Sequence, residues 1–369
     1  MRNIKVCILT SAHPSFDARI FHKEAKTLVK AGYEVVLIVQ HDKAEVVDGV
    51  RIVPLPKPRN RFTRMFGLTW KAFCSGLKEN AKVYHFHDPE LMPIGMLLKL
   101  LGKRVVYDVH EDLSGQIVDK HWIPPAQRNV ISFGVLWAER FFTLFFNAVI
   151  AATPRIALKF SSKKTLVVQN FPILARYPDV VSKPYQDRGN RILYIGGLTE
   201  GRGIFEMVKA SQLLPERLNV QLILGGRFSP EILRERVVAL PGWGKVNERG
   251  WLSRNDVLKY LQEVRLGLVV LRPLPNYIPS YPVKMFEYMN AGIPVVASNF
   301  PLWREIVEEA ECGLLVDPLN PQEIADAVQW LLEHPQEAEE MGLNGQRAVL
   351  EKYNWDSEAK KLLDFYKEI

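Results

Sequence analysis

The chain predicts an α/β fold built from two doubly wound halves, and three observations carry that expectation. Short apolar runs of strand composition alternate with segments of helical periodicity, the pattern of parallel sheets covered on both faces. At 369 residues the chain is too long for one ordinary hydrophobic core. The stretch 170–188, with Asn170, Pro172, Pro178 and Pro184, punctuates the middle as a linker.

In the first half, Lys5–Leu9 reads as a strand and residues 18–31 as a helix stopped by Gly32. Strands are then expected at 33–39, 83–87, 104–108 and 148–152, with helical stretches between them. In the second half they are expected at 191–195, 220–224, 245–249, 266–271, 294–297 and 314–316. Ligands of such sheets sit outside the carboxyl ends of the strands, so residues just after strands carry most weight.

Composition narrows the class. Hydrophobic residues make up 47% and charged residues 24%, as in an ordinary folded protein. Cys7, Cys74 and Cys312 are scattered and odd in number, which predicts reduced thiols rather than a disulfide framework. The first ten residues read as a strand rather than a signal peptide, and no apolar run reaches about 18 residues. A cytoplasmic protein is therefore expected. Residues 1–170 hold 25 Lys and Arg against 14 Asp and Glu, whereas residues 171–369 hold 23 against 27. That basic first half invites an acidic partner. The segment 56–73 interleaves Arg59, Arg61 and Arg64 with Phe62, Met65, Phe66, Trp70 and Phe73, which predicts contact with an anionic membrane surface. The alternative is a loop leading into a helix whose aromatic face is core. His121–Pro125 could add to the same surface.

The most informative stretch is Lys284–Ser298. It reads as a helix stopped by Gly292, followed by Pro294 and a buried strand. A helix N-terminus at a sheet edge offers free amides to an anion, and Glu287, one turn in, could bridge a ribose diol. The bland alternative is a solvated Glu on an amphipathic helix. Asp17 and Arg19 open the first helix, where Arg19 could meet a phosphate or Asp17 could simply cap. That turn has no glycine, so a dinucleotide fingerprint fails. His85 and His87 alternate onto one strand face beside Asp88. A metal site joining them to His110 and Asp112 is conceivable, but the usual ligand spacings are absent.

Several motifs together resemble glycosyltransferase family 4, the retaining sugar-nucleotide transferases of GT-B fold. They are Glu287-Tyr288 with Gly292-Ile-Pro-Val295, Tyr194-Ile-Gly-Gly-Leu198, Arg202-Gly203-Ile204, Gly225-Gly226, Gly250-Trp-Leu-Ser253, Cys312–Pro318 and Asn354-Trp355. The Pro282-x-Lys284-x-x-Glu287-Tyr288 pattern looks like the branch that builds bacterial surface polysaccharides. Two departures stand out: a second Glu of the family motif is Pro279 here, and the Arg of its first glycine turn is Gly197.

The resemblance implies two Rossmann-like domains facing across a cleft. The first, 1–170, takes the acceptor. Residues 171–188 link it to the donor domain, 189–352, and 353–369 form a helix crossing back. It implies a nucleotide-diphosphate sugar as donor, UDP-sugar by preference, and a lipid-linked glycan as acceptor. Donor contacts fall on Gly197, Arg202, Gly226, Trp251, Leu252, Tyr281, Pro282, Val283, Lys284 and Glu287, with Trp251 and Leu252 over the base. His110 is the residue expected at the donor sugar, and with Glu287 it forms the catalytic pair. Asp17, Arg19, His87 and Asp88 are assigned to the acceptor side. No metal is expected, since Asp-x-Asp is absent and side chains with a helix dipole can hold the diphosphate; no cofactor beyond the donor and no nucleic-acid partner are expected either. The rivals are an NAD-dependent oxidoreductase, disfavoured by the missing Gly-x-Gly-x-x-G, and a non-catalytic basic module for lipid or nucleic acid.

Overall fold

The structure, a computed structural model, describes residues 4–60, 62–110, 112–118, 124–174 and 184–369. It divides into two compact units, residues 1–170 with 355–369, and residues 171–354. Each has the doubly wound α/β architecture that the alternation predicts.

The first unit is an eight-stranded sheet. Its strands are β1 (Lys5–Pro14), β2 (Glu34–Gln40), β3 (Glu45–Val47), β4 (Val50–Leu55), β5 (Val83–Phe86), β6 (Arg104–Val109), β7 (Ala148–Ala151) and β8 (Thr165–Val167). Their spatial order is 3-4-2-1-5-6-7-8, and all pairs are parallel except β3 with β4. Three short strands, β3, β4 and β8, go beyond those expected. The β3–β4 hairpin turns on Asp48 and Gly49, both at positive φ, as a tight two-residue turn requires. The last helix, Trp355–Glu368, belongs to this unit, where Trp355 Nε1 donates to Thr27 Oγ1 at 2.9 Å. The order reverses between β1 and β5, so their carboxyl ends form the natural ligand position of this sheet.

The second unit is a six-stranded parallel sheet: β9 (Arg191–Ile195), β10 (Gln221–Gly225), β11 (Val246–Gly250), β12 (Leu266–Val269), β13 (Val295–Ser298) and β14 (Gly313–Val316). The order is 11-10-9-12-13-14, with the reversal between β9 and β12. The inner strands β10, β12 and β13 are buried runs rather than alternating ones, because helices cover both faces.

The basic aromatic segment becomes a helix, Thr63–Leu68 continuing as Thr69–Glu79. Leu68, Ala72 and Phe73 enter the core, whereas Phe62, Met65, Phe66 and Trp70 stand 48–71% exposed. One face of this helix is core, as the alternative expected, and the other is an uncovered aromatic row. Arg59 is exposed, but Arg64 pairs with Glu90 at 3.0 Å and is not a free cation. Arg61, His121, Trp122, Ile123 and part of the linker, including Pro178, lie outside the described residues.

Trp303 fixes the approach to the helix Val283–Asn290. It is fully buried, stacks near Phe300 and donates from Nε1 to Ser280 O at 2.7 Å, holding the segment that leads into that helix. Trp303→Ala removes both the packing and the bond, for a loss of about 3–5 kcal/mol. Urea unfolding of the variant measures this, and an unchanged midpoint would contradict the anchoring role.

Candidate functional site

Three neighbouring strands of the second unit end in glycine turns. Gly196 N donates to Gly225 O at 2.8 Å, and Gly226 N donates to Gly250 O at 2.7 Å. The turns must pack backbone to backbone, since a Cβ on Gly226 would lie 1.9 Å from Gly196 O. The result is a pocket of about 390 Å³ lined by Ile195, Gly196, Gly197, Gly225, Gly226, Arg227, Trp251 and Leu252. Trp251 is 74% exposed at its rim, with the Arg227 guanidinium 5.9 Å from its ring centroid. An exposed aromatic beside a mostly apolar hollow suits a planar ring.

Beside that pocket, at the reversal between β9 and β12, two cations converge. A Cβ on Gly196 would meet Lys284 Nζ at 3.1 Å and Arg202 Nη1 at 3.2 Å, so both reach the same turn. Lys284 Nζ is enclosed, lies 3.7 Å from the Tyr194 ring centroid and has no hydrogen-bond partner. Burial, and then the Arg202 charge, push its amine well below the ordinary lysine range. A buried ammonium beside another cation is costly unless an anion joins them. Lys284 is also the second residue of the helix Val283–Asn290, whose first amides are free for an anion.

Tyr288 aims this helix. Its hydroxyl accepts from Ile195 N at 3.0 Å, and its ring fills the space left by Gly267, where a Cβ would come within 2.2 Å. Glu287, half-buried one turn from the helix start, raises the Lys284 amine electrostatically. Of the sequence-predicted donor set, Gly197, Gly226, Trp251 and Leu252 line the pocket, and Arg202 and Lys284 meet at Gly196. Pro282 caps the helix. Val283 is exposed, and Tyr281 packs on Phe171 and Phe286, which is a supporting role. Gly196 and Arg227 were not singled out from sequence; their signal was adjacency to the two glycine turns.

The first unit gathers different residues at β1, β5 and β6. His110 keeps 16% side-chain exposure, with Nδ1 3.4 Å from Asp108 Oδ1 and Nε2 3.1 Å from His13 Nε2. The four residues assigned to the acceptor turn inward or into the backbone. Asp17 caps the helix Ala18–Ala25, accepting from Arg19 N and Ile20 N. Arg19 is buried, bonded to both oxygens of Asp108, to Glu24 and to Val168 O. Asp88 is buried and ties down the turn after β1, accepting from Thr10 Oγ1 at 2.8 Å, Ser11 N at 2.5 Å and Ala12 N at 3.2 Å. His87 is buried and its imidazole is pushed well below the ordinary histidine range, first by burial and then by His85. These residues serve the frame, because polar groups packed under strand ends must satisfy one another. His13, 25% exposed and 3.4 Å from Asp88 Oδ1, was missed and is the partner His110 meets. Asp112 is taken by Lys159 and Gly115 N, so it does not join the histidines.

Comparison with known proteins follows the same division. The family "Glycosyl transferase 4-like domain" matches residues 18–165, and "Glycosyl transferases group 1" matches residues 180–348. An uncharacterised glycosyltransferase of Methanocaldococcus jannaschii is 31% identical over 183 residues, 49% of this chain and 46% of the relative. The match thus spans about half the length of that relative. An alpha-D-kanosaminyltransferase of Streptomyces kanamyceticus is 24% identical over 84% of this chain and 80% of its own. Among solved structures, sucrose-phosphate synthase of Thermosynechococcus elongatus superposes with a TM-score of 0.76 at 20% identity, covering 99% of this chain and 98% of that one. HepE of Anabaena, solved with UDP and glucose, gives 0.75 at 15%, covering 99% and 100%. WaaG, a glycosyltransferase of lipopolysaccharide biosynthesis, gives 0.72 at 17%, covering 98% and 99%. Such likeness in shape establishes the GT-B fold.

The depressed Lys284 amine has a measurable consequence. An anion between Lys284 and Arg202 raises that amine's pKa toward normal, so binding takes up a proton at pH values between the free and bound pKa. Calorimetry of pyrophosphate binding in buffers of different ionisation enthalpy should detect the uptake, and Lys284→Met should remove it. The unfolded chain binds more protons here than the folded one below the ordinary lysine pKa, so this group's contribution falls as pH drops. Lys284→Met should therefore stabilise the unliganded protein at pH 7. Pyrophosphate binding with no proton exchange would contradict the assignment.

Proposed function

Because the chain belongs to the family 4 type of glycosyltransferase, with the GT-B fold, we propose that it moves a sugar from a nucleoside-diphosphate sugar, a UDP-sugar by preference, to a lipid-linked glycan, with retention at the anomeric carbon. The observation that carries this reading is the pair Arg202 and Lys284, converging on Gly196 beside an aromatic-rimmed pocket. The pocket takes the base against Trp251 and Leu252. The two cations and the first amides of the helix Val283–Asn290 take the diphosphate, and Glu287 takes the ribose hydroxyls. The likeness to HepE, solved with UDP and glucose, supports UDP over other nucleotides.

As the glycosidic bond to phosphate breaks, negative charge grows on the leaving diphosphate. Preorganised cations in a closed site stabilise that charge without reorganising, which is the largest contribution such a site makes. A protonated Lys284, restored by the anion, supplies it. With retention the acceptor hydroxyl attacks from the leaving-group face, and the departing phosphate oxygen takes its proton. Two opposed carboxylates, as in a hydrolase, are not needed, and no metal is assigned to the transfer. His110 is assigned to the donor sugar on the family resemblance, with Asp108 and His13 holding its ring. The exposed row Phe62, Met65, Phe66 and Trp70, in a unit of strongly positive charge, supports peripheral contact with the cytoplasmic face of a membrane where a lipid-linked acceptor resides. No helix among the described residues is long and apolar enough to cross a membrane.

A thermal-shift panel of UDP-, GDP- and ADP-sugars tests the donor directly. A ligand at 100 times its Kd stabilises by about 2.7 kcal/mol. UDP-sugars should shift the melting temperature most, and a panel with no shift would refute the reading. Glu287→Gln keeps the shape but loses charge-assisted bonds worth about 1.5–3 kcal/mol, so UDP affinity should fall tenfold or more with the fold intact. His110→Ala should lower turnover by orders of magnitude while leaving UDP affinity near normal; full turnover would remove it from the chemistry. Replacing Phe62, Phe66 and Trp70 together with Ser should abolish sedimentation with anionic vesicles while sparing transfer to a short soluble acceptor. Retained sedimentation would exclude the aromatic row as the membrane contact.

A further inference from the structure

We propose that Glu24, His85, His87 and Asp108, beneath His110 in the first unit, form a buried site for a divalent transition metal, with zinc the ion their chemistry suits. One ligand atom from each of the four lies within 4.8 Å of the others, and all four residues are buried, at 0–3% exposure. His85 Nε2, both ring nitrogens of His87 and both carboxylate oxygens of Glu24 make no hydrogen bond. Buried polar atoms of a native core are otherwise bonded; Glu24 Oε1 has the Arg19 ion pair, but His85 Nε2, His87 Nε2 and Glu24 Oε2 face one another and need a partner.

The spacing identifies what kind of partner. His87 Nε2 lies 3.5 Å from Glu24 Oε2, His85 Nε2 lies 3.9 Å from the same oxygen, and His85 Nε2 lies 3.8 Å from Asp108 Oδ2. These gaps are too long for hydrogen bonds. They lie a few tenths of an ångström outside the edge of a tetrahedron around zinc, about 3.3 Å for ligands held at 2.0–2.1 Å. The donor set, two imidazoles with carboxylate oxygen, is one that zinc takes.

The surroundings are arranged for coordination. His85 Nδ1 is held at 2.7 Å by the Tyr366 hydroxyl from the last helix, which leaves Nε2 facing Glu24. An outer hydrogen bond of this kind fixes the orientation of a metal-binding imidazole. Arg19 bonds both oxygens of Asp108 and Oε1 of Glu24, compensating one of the two carboxylates. Two imidazoles and a Glu24 oxygen not engaged by Arg19 then remain in a buried pocket, a donor set that suits a cation. Glu24 Oε2 is free of Arg19, so His85, His87 and Glu24 supply three ligands and Asp108 Oδ2 the fourth, shared with Arg19.

The site lies beneath His110, and the cations assigned to the diphosphate belong to the other unit. Its ligands come from the helix Ala18–Ala25, β5 and β6, and Asp108 touches His110 Nδ1, so a bound ion would pin these elements and the His110 ring together.

The test uses the full chain, freed of metal by chelation and titrated with zinc and with cobalt(II). One zinc per chain is expected, with a rise in melting temperature, and cobalt should give the intense visible bands of a tetrahedral site. His87→Ala should abolish both. Tyr366→Phe should weaken zinc binding about 10–100-fold, as loss of an outer-shell partner does. Where His87→Ala fails to fold, the wild-type cobalt spectrum and the conservative Glu24→Gln variant decide. Less than stoichiometric zinc, a cobalt spectrum of the hydrated ion, or equal binding by wild type and Glu24→Gln would overturn the proposal. Each would mean that a proton, or nothing, balances the cluster. Transfer activity unchanged by zinc leaves the donor reading intact while these readouts still decide the site.

Discussion

Two cations that reach the same glycine turn, one of them enclosed and without a hydrogen-bond partner, are the constraint on which the second unit depends. Burial and then the Arg202 charge disfavour the charged form of Lys284, because a second buried cation would be repelled more strongly there than in water. A stable protein tolerates this when the pair has something else to do. Everything nearby keeps the pair in place. Tyr288 pins its helix to the end of β9, Gly267 gives Tyr288 room, Trp303 holds the approach and Gly196 leaves space for both side chains. The unliganded site thus disfavours the Lys284 charge, and on the proposed reading a bound anion restores it.

The first unit solves the opposite problem. There the charges beneath the strand ends are of both signs and densely connected. Burial and the neighbouring Asp108 raise the Glu24 carboxyl well above its ordinary value, while Arg19, with His110 and His85, holds Asp108 well below its own despite burial. Arg19 is the central strut, joining the helix Ala18–Ala25 to β6 and to the chain after β8. Removing one partner from such a group leaves an uncompensated buried charge, so the frame tolerates change poorly. His13 and His110 are left partly open above it. The two sheets share a topology, and in each the residues gather where the strand order reverses.

Much of the fold was legible because the signals are local. Continuous apolar runs located the six strands of the second unit to within a residue or two, and glycine turns marked where their pocket opens. The hairpin β3–β4 was harder: β3 has three residues and Pro54 interrupts the strand signal of β4. The resemblance pointed to Gly197, Gly226, Trp251, Leu252, Arg202 and Lys284 through short local motifs, and the structure brings these residues around one pocket and one glycine turn. The acceptor-side assignment failed for a physical reason. Asp17, Arg19, His87 and Asp88 do stand at strand ends and a helix start, as polar ligands would. Sequence order gives position along the chain but not the direction a side chain turns, and here Arg19 turns to Asp108 and Glu24, Asp88 to the turn after β1, and Asp17 to the amides of its own helix. Arg64 shows the same limit, since its partner Glu90 is distant in sequence.

The most direct measurement of the central claim is a double-mutant cycle on Arg202 and Lys284, reading the affinity for UDP against that for uridine. If the pair holds the diphosphate, each single neutralisation should weaken UDP far more than uridine. The double change should then collapse the ratio toward one, with single effects that do not add, because each cation's repulsion is relieved when the other is gone. Equal losses for UDP and uridine, or an unchanged ratio in the double variant, would contradict the account and leave the two cations as part of the fold.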